Sequence, residues 1–421
     1  MKTPSWHSRM SIWVACTLVA LTVCVFAPVL LADRIFAFRD AAHFYPPLWQ
    51  HIHDQWSAGR IPLWNPYENL GQPLLAHPAA AICYPGQLFF LLPLPFRHAY
   101  NLYLVGHVLL AAATAYRLAR VFRATPMGAG VSAITYAFSG IVLMQYTNPP
   151  FLVGAAWLPL AAVGIDRVVR RADPSLQTGP LQQRLGAAIP LCLGVGIPMA
   201  LMVLGGDPQM AYNVGLLAAL YLLIAWVRCR PGHTAAGPFG QRLRLRICWE
   251  PVCRASGLLG AAAIVALALS SVQVLPSAQL TSQSDRQTPC WSDRLWGNLE
   301  PGSHHAHTYH FSVAPWRLAE LVWPNVSGRQ YPIHRRWLEV IPAEGRVWTP
   351  TLYMGLFPLV LALSRLRFRR GPIYERWLTW VAVLATVASF GYYGLGWLLA
   401  ECRVDSGVGG PFGGLYWLMN L

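Results

Sequence analysis

The chain has 421 residues, of which 55% are hydrophobic, 12% aromatic and only 12% charged. A soluble domain ordinarily carries about 25% charged residues, so this chain has too few to cover several domains' worth of surface. Disorder, collagen and a disulfide-stapled secreted scaffold are excluded by the same composition, which leaves a polytopic membrane protein. The net charge of +15 comes from 32 basic and 17 acidic residues. On a soluble protein that excess would point to nucleic acid; on a membrane protein it points to arginine-rich cytoplasmic loops.

Apolar runs of about 17–25 residues mark spanning helices. The first runs from Met10 to Leu31, behind Lys2 and Arg9. It is longer than a signal-peptide core and no small-x-small cleavage site follows, so it reads as an uncleaved helix with its N-terminus inside. A stretch rich in Trp, Tyr, Pro, His and Asn, residues 32–95, cannot span and forms a first outer loop. Further runs cover about 99–118, 127–146, 151–165, 185–204 and 210–227. After a basic loop the seventh covers about 258–276, and a second long polar loop fills 277–350. The eighth and ninth cover about 351–363 and 377–399, and Leu415 to Leu421 read as the start of a further apolar element, expected as either a short amphipathic tail or a truncated C-terminus.

The arginines fall at alternate loops: the N-terminus, 117–123, 167–184, 228–254 and 365–376. That positive-inside pattern places the N-terminus in the cytoplasm and both long loops outside. The cytoplasmic segments hold 20 basic residues against Asp166, Asp173, Glu250 and Glu375, so the charge excess is an orientation signal with membrane lipids, not nucleic acid, as its partner. The expected fold is an all-α polytopic membrane protein with about nine transmembrane helices and two long outer loops, forming one integral membrane domain over 1–421. Cysteines support no zinc site, because no CxxC pair occurs.

The first outer loop is the informative segment. Its prolines and aromatics describe a rigid, folded cap. Asp40 sits just past the first apolar run, where an acid among Trp and Tyr is partly desolvated, as suits a general base. The bland alternative is a helix N-cap. His43, three residues on, shares a side of a helical turn with Asp40, and the pair is a candidate divalent-metal site; polar packing of His43 is the alternative. Asp207, in Gly205-Gly206-Asp207-Pro208, is either a helix N-terminal acid favoured by the helix dipole or a second acid facing the cavity. His304, His305, His307 and His310 read as a solvated loop in preference to a metal site. Trp49, Trp56 and Trp64 are expected to pack within the cap, with sugar stacking as the alternative. His107 and Gln273 are expected to hydrogen-bond to neighbouring helices. No P-loop or HExxH occurs, so ATP-driven transport has no support.

Asp40-x-x-x-Phe44-Tyr45-Pro46, then Gly59-Arg60-Ile61-Pro62-Leu63-Trp64-Asn65-Pro66, then Gly71-Gln72-Pro73 and Tyr84-Pro85 follow one another across about residues 33–96. In order and spacing this segment resembles the bacterial YfhO-like membrane proteins, which are similar to the GT-C class of glycosyltransferases. Weaker echoes are Gly205-Gly206-Asp207-Pro208-Gln209, Trp323-Pro324-Asn325 with Gly328, and Tyr353-Met354-Gly355. The resemblance implies a GT-C-like fold in a bacterial cytoplasmic membrane and transfer of a sugar from a polyprenyl-phosphate-linked donor to an extracytoplasmic acceptor. It implies Asp40 as the catalytic acid of the first outer loop, either activating the acceptor hydroxyl or helping to bind a metal. Arg39, which stands where the family often has a small residue, is a candidate partner of the donor phosphate. Tyr45, Trp64, Asn65 and Asp207 join His43 and Arg60 as candidate substrate-binding residues, with Arg60 and Arg317 as candidate cations for the departing phosphate. A lipid or small-solute transporter or flippase, and an inactive membrane scaffold, are the competing readings.

Overall fold

The computed structural model describes residues 6–172, 181–231, 243–247, 249–284, 308–326, 328–329, 335–336, 349, 351–404 and 407–419. In chain order the helices are α1 (Trp6–Leu30), α2 (Asp40–His43), α3 (Tyr45–Ser57), α4 (Phe96–Val121), α5 (Pro126–Ala137), α6 (Gly140–Met144), α7 (Pro149–Arg171), α8 (Leu181–Leu204), α9 (Pro208–Trp226) and α10 (Trp249–Ser282). Leu356–Ser364 and Ile373–Ser389 are the longest helices that follow. Each of the nine apolar runs is therefore helical over most of its length, with non-helical residues at 138–139 in the third, 351–355 in the eighth and 390–394 in the ninth. Among the described residues, six stretches are long and apolar enough to cross a membrane: Met10–Leu30, Phe96–Val121, Pro126–Thr147, Pro149–Arg171, Pro208–Trp226 and Trp249–Ser282. Ala188–Leu204 is a shorter apolar helix. The protein is thus an all-α, polytopic integral membrane protein. Its described strands are brief antiparallel pairs, β1 (Trp64–Asn65) with β2 (Gln72–Pro73) in the first loop, β3 (Val227–Pro231) with β4 (Leu243–Ile247) in the basic loop and β5 (Gly328–Arg329) with β6 (Arg335–Arg336) in the second long loop.

The chain forms two compact units, one of residues 1–137 and 145–281, the other of 138–144 and 282–421. In the first, α7 is the central helix. It opens on Pro149 and Pro150, which lack the N–H that a first turn leaves unpaired, and packs against α4, α8 and α9. Small residues set these crossings, as expected where lipid removes the hydrophobic drive between helices and close backbone contact replaces it. A Cβ on Gly164 of α7 would overlap the Gly194 carbonyl of α8, and one on Gly196 would stand 2.7 Å from the Ala262 carbonyl of α10. Thr114 Oγ1 of α4 donates to the Ala156 carbonyl of α7 at 2.8 Å. At the arginine-rich end Asp166 is fully buried, pairing with Arg170 Nε at 2.7 Å and accepting from Tyr221 Oη at 2.6 Å. By contrast α1 and α10 expose Trp13, Val19, Ile264, Leu267 and Leu275, rows that suit contact with acyl chains.

The first loop has its own core. Trp49 of α3 is completely buried, meets the rings of Tyr45, Phe90, Tyr100 and Tyr103 edge-on, and donates Nε1–H to the Ala79 carbonyl. Edge-to-face aromatic packing of this kind makes the segment a folded cap rather than a tether.

In the second unit Arg317 and Glu320 form a buried ion pair at 2.8 Å; Arg317 also donates to the Thr349 carbonyl, and the Leu352 N–H donates to Glu320. Arg317, a candidate phosphate partner by sequence, is therefore held by a carboxylate. The ring of Tyr393 meets those of Trp316 and Trp397 edge-on, and Ser312 Oγ accepts from the Tyr392 N–H. His304, His305 and His307 lie outside the described residues.

Candidate functional site

The cap meets the helices through α4, where Trp49 packs on Tyr100 and Tyr103, and through α2 and the start of α7. Asn101 Nδ2 of α4 donates to the carbonyls of Val29 and Arg34, fixing where the chain leaves α1, and Arg97 pairs with Asp33. From there α2 sits with Ala41 fully buried, its carbonyl 3.5 Å from Tyr100 Oη, and packs against the turn at residues 145–147. Tyr45 is buried, and its hydroxyl donates to Asn148 Oδ1 at 2.6 Å. Burial pushes the Tyr45 phenol above its ordinary range, and the neighbouring Asp40 carboxylate adds to the rise, so the hydroxyl keeps its proton as donor.

With Ala41 and Tyr45 turned inward, Asp40 and His43 face outward together. Both are exposed at the protein surface. The shared turn expected from their spacing is present, whereas the partial burial expected for Asp40 is not, because its inner neighbours occupy the packed side. Arg39, immediately before it, has φ +52° and ψ −129°, a conformation natural to glycine and costly for a side chain bearing a Cβ. That gives a backbone reason for a small residue at this place.

Asp207 also lies at the cap end, between α8 and α9. Gly206 adopts φ +91°, and a Cβ there would stand 2.7 Å from the Pro78 carbonyl of the cap. Asp207 Oδ1 accepts the Met210 N–H at 2.9 Å, an N-cap of α9. Its Oδ2 is buried with no hydrogen-bond donor among the described residues and abuts Gly154 of α7, where any Cβ would overlap it. Burial raises its pKa to about 6, against the opposing pull of the Met210 N–H. Of the two readings of Asp207, the structure carries the helix-start acid; its second oxygen is enclosed against Gly154 and faces no cavity among the described residues.

The remaining candidates belong to a different part of the cap. Arg60 is exposed and donates Nε–H to Gln55 Oε1. Trp64 is 54% exposed and lies over Gly71, where a Cβ would overlap its ring. Asn65 is buried and accepts the Tyr67 N–H, an Asx turn that closes the β1–β2 hairpin. The hairpin alone accounts for Asn65.

Two connections were not legible beforehand. One is Asn148, whose place between Thr147 and Pro149 marks only a helix start. The other is a buried chain tying the cap to α4 and α7. Trp157 Nε1–H donates to Tyr84 Oη at 2.9 Å, Tyr84 Oη lies 2.7 Å from His107 Nε2, and His107 Nδ1 lies 2.6 Å from the Tyr103 carbonyl. The carbonyl can only accept, so Nδ1 carries the proton and Nε2 accepts from Tyr84, which satisfies both ring nitrogens of His107. Among the described residues no three His, Cys, Asp or Glu side chains gather as a metal site, so Asp40 and His43 offer two protein ligands.

These features define a membrane protein with a folded cap and acidic side chains at the junction of cap and helices. No family model matches the chain, and no solved structure matches it. It is similar to the membrane-bound acylglycerophosphatidylinositol O-acyltransferase MBOAT7 of Bos taurus, with 23% identity over 187 residues, 43% of this chain and 37% of that protein. The chain thus spans little more than a third of the length of this relative.

Proposed function

We propose that this protein is a membrane-embedded glycosyltransferase that moves a sugar from a polyprenyl-phosphate donor to an acceptor hydroxyl at the cap end of its helices. The observation that carries the reading is Asp40, an exposed carboxylate on a firmly anchored turn where the cap joins α1, within a segment resembling the YfhO-like proteins. Asp40 takes the proton of the acceptor hydroxyl. The acceptor oxygen forms a bond to the anomeric carbon as the bond to the lipid phosphate breaks, and the phosphate leaves with the electron pair. Arg39 is the nearest candidate cation for that phosphate. A divalent metal fits as a half-site: Asp40 and His43 would hold it, with phosphate oxygens and water supplying the other ligands. The distribution of arginines supports a cytoplasmic N-terminus, and with it chemistry on the outer side of the membrane; the resemblance to the YfhO-like proteins supports a bacterial cytoplasmic membrane.

The test is transfer from a lipid-linked sugar by purified protein in vesicles. Loss of a general base costs about 10²–10⁴-fold, so Asp40→Asn and Asp40→Ala are expected to lose activity on that scale while eluting and melting like the parent. Full transfer by both variants would overturn the assignment. The similarity to the bovine acyltransferase favours a second reading, O-acyl transfer to a lipid hydroxyl. Acyl transfer to a lysophospholipid under the same conditions, without sugar transfer, would select it.

A further inference from the structure

At the opposite end of the same helices, a groove of about 340 Å³ opens between α4, α7 and α8. Its walls are apolar along α8 from Pro190 to Pro198, which by helix rise is roughly 12 Å. Its floor is the close approach of Gly164 to Gly194. Gly194 itself looks into open space, since a Cβ there would meet nothing within 4 Å. Two arginines, Arg117 of α4 and Arg167 of α7, line the same groove, and both are exposed. Leu160, two turns deeper on α7, lines it as well.

Among the described residues the charge at this groove is uncompensated. α4 and α8 contain no acidic residue, and the one acid of α7, Asp166, is buried against Arg170 and Tyr221 of α9. Among the described residues neither Arg117 nor Arg167 has a carboxylate within ion-pair distance. An apolar slot with two guanidinium groups that have no carboxylate partner among the described residues matches an amphiphile with an anionic head and a hydrocarbon tail. The guanidinium fork suits a phosphodiester, and basic pockets between spanning helices favour such headgroups.

We propose that this groove is a binding site for one anionic phospholipid, its phosphodiester between Arg117 and Arg167 and an acyl chain laid along α8. The site is separate from the cap end and does not depend on the transfer reaction proposed there.

The full chain is purified in detergent and titrated with dioleoyl phosphatidylglycerol or dioleoyl phosphatidylcholine, and retained lipid is counted by native mass spectrometry. One phosphatidylglycerol per chain is expected, with phosphatidylcholine at least tenfold weaker. Arg117→Gln and Arg167→Gln each remove about one charge contact, giving roughly fivefold weaker binding singly and about thirtyfold together. Gly194→Leu, with both arginines kept, fills the slot and is expected to weaken binding at least tenfold. Circular dichroism and gel filtration confirm folding, and because the arginines are exposed their glutamine variants carry the test should Gly194→Leu fail to fold. Equal retention of the two lipids, an unchanged double glutamine variant, or displacement of the lipid by millimolar glycerol phosphate would overturn the proposal.

Discussion

Asp207 offers the sharpest energetic test of the fold. Its carboxylate is 2% exposed, one oxygen caps α9, and the other has no donor among the described residues. Moving its pKa from 3.8 to about 6 means the folded protein holds the acid's proton more tightly than the unfolded chain does. The sign follows from proton binding: between pH 3.8 and about 6 the native state binds more protons, so stability falls as pH rises through that window and is flat above it. At 1.36 kcal/mol for each pH unit, the ionised acid at pH 7 costs about 3 kcal/mol relative to its protonated form. Asp207→Asn keeps an oxygen for the Met210 N–H and removes the ionisation. It is expected to flatten the pH dependence between 4 and 6 and to stabilise the protein at pH 7.5 by up to about 3 kcal/mol, less whatever the new amide loses unpaired. Asp207→Ala removes the cap as well and should recover about 1 kcal/mol less. The assay is denaturant or thermal unfolding in mild detergent from pH 4 to 8, comparing each variant with the parent. A parent and Asp207→Asn with the same pH profile would refute the reasoning, as would an asparagine variant that is the less stable of the two at pH 7.5.

Asn148→Ala leaves the buried Tyr45 hydroxyl without its acceptor and should cost about 1–3 kcal/mol in the same unfolding assay, with Tyr45→Phe milder; equal stability of both variants and parent would show that bond to be dispensable. Gly164→Ala drives a methyl group into the Gly194 carbonyl and should lower stability by about 1–3 kcal/mol, seen as earlier thermal unfolding, whereas Gly194→Ala enters open space within the helix and should leave it unchanged or raise it by up to about 1 kcal/mol. Arg39→Gly relieves the positive φ before Asp40 and is expected to add roughly 1 kcal/mol; a lower midpoint would mean that the guanidinium holds the turn by contacts worth more than the strain. Arg317→Met strands the buried Glu320 and should cost about 3–5 kcal/mol, measured as a fall in the unfolding midpoint.

The helices themselves were legible because membrane insertion is written in composition. A run such as 10–31 has no alternative to helix in lipid, where every backbone N–H and C=O must find its partner within the segment. Boundaries moved where polar end-residues continued a helix into the interface. The seventh run, expected over about 258–276, extends through Trp249–Ser282, and the fourth, expected over about 151–165, continues through Asp166 to Arg171 because Asp166 finds partners in Arg170 and Tyr221. The third is interrupted at 138–139, between α5 and α6, at Ser139-Gly140, a turn-prone pair inside an otherwise apolar run.

The candidate site divides in the same way. Adjacent residues could be related from sequence alone: Asp40 and His43 share a side of one turn, and Gly206 before Asp207 announces a tight turn and a helix start. What three dimensions added were pairings across long separations, which no local pattern records. Asn148 meets Tyr45 across 103 residues, and Trp157, Tyr84 and His107 join α7, cap and α4. Composition and arginine spacing determined that this chain is a helical membrane protein, since bilayer solvation acts on each segment separately. Tertiary packing decided which acids stay exposed and which are buried without a donor. Asp40 is free at the surface because Ala41 and Tyr45 fill the packed side of its turn, and Asp207 is enclosed because Gly154 lets α7 close over it.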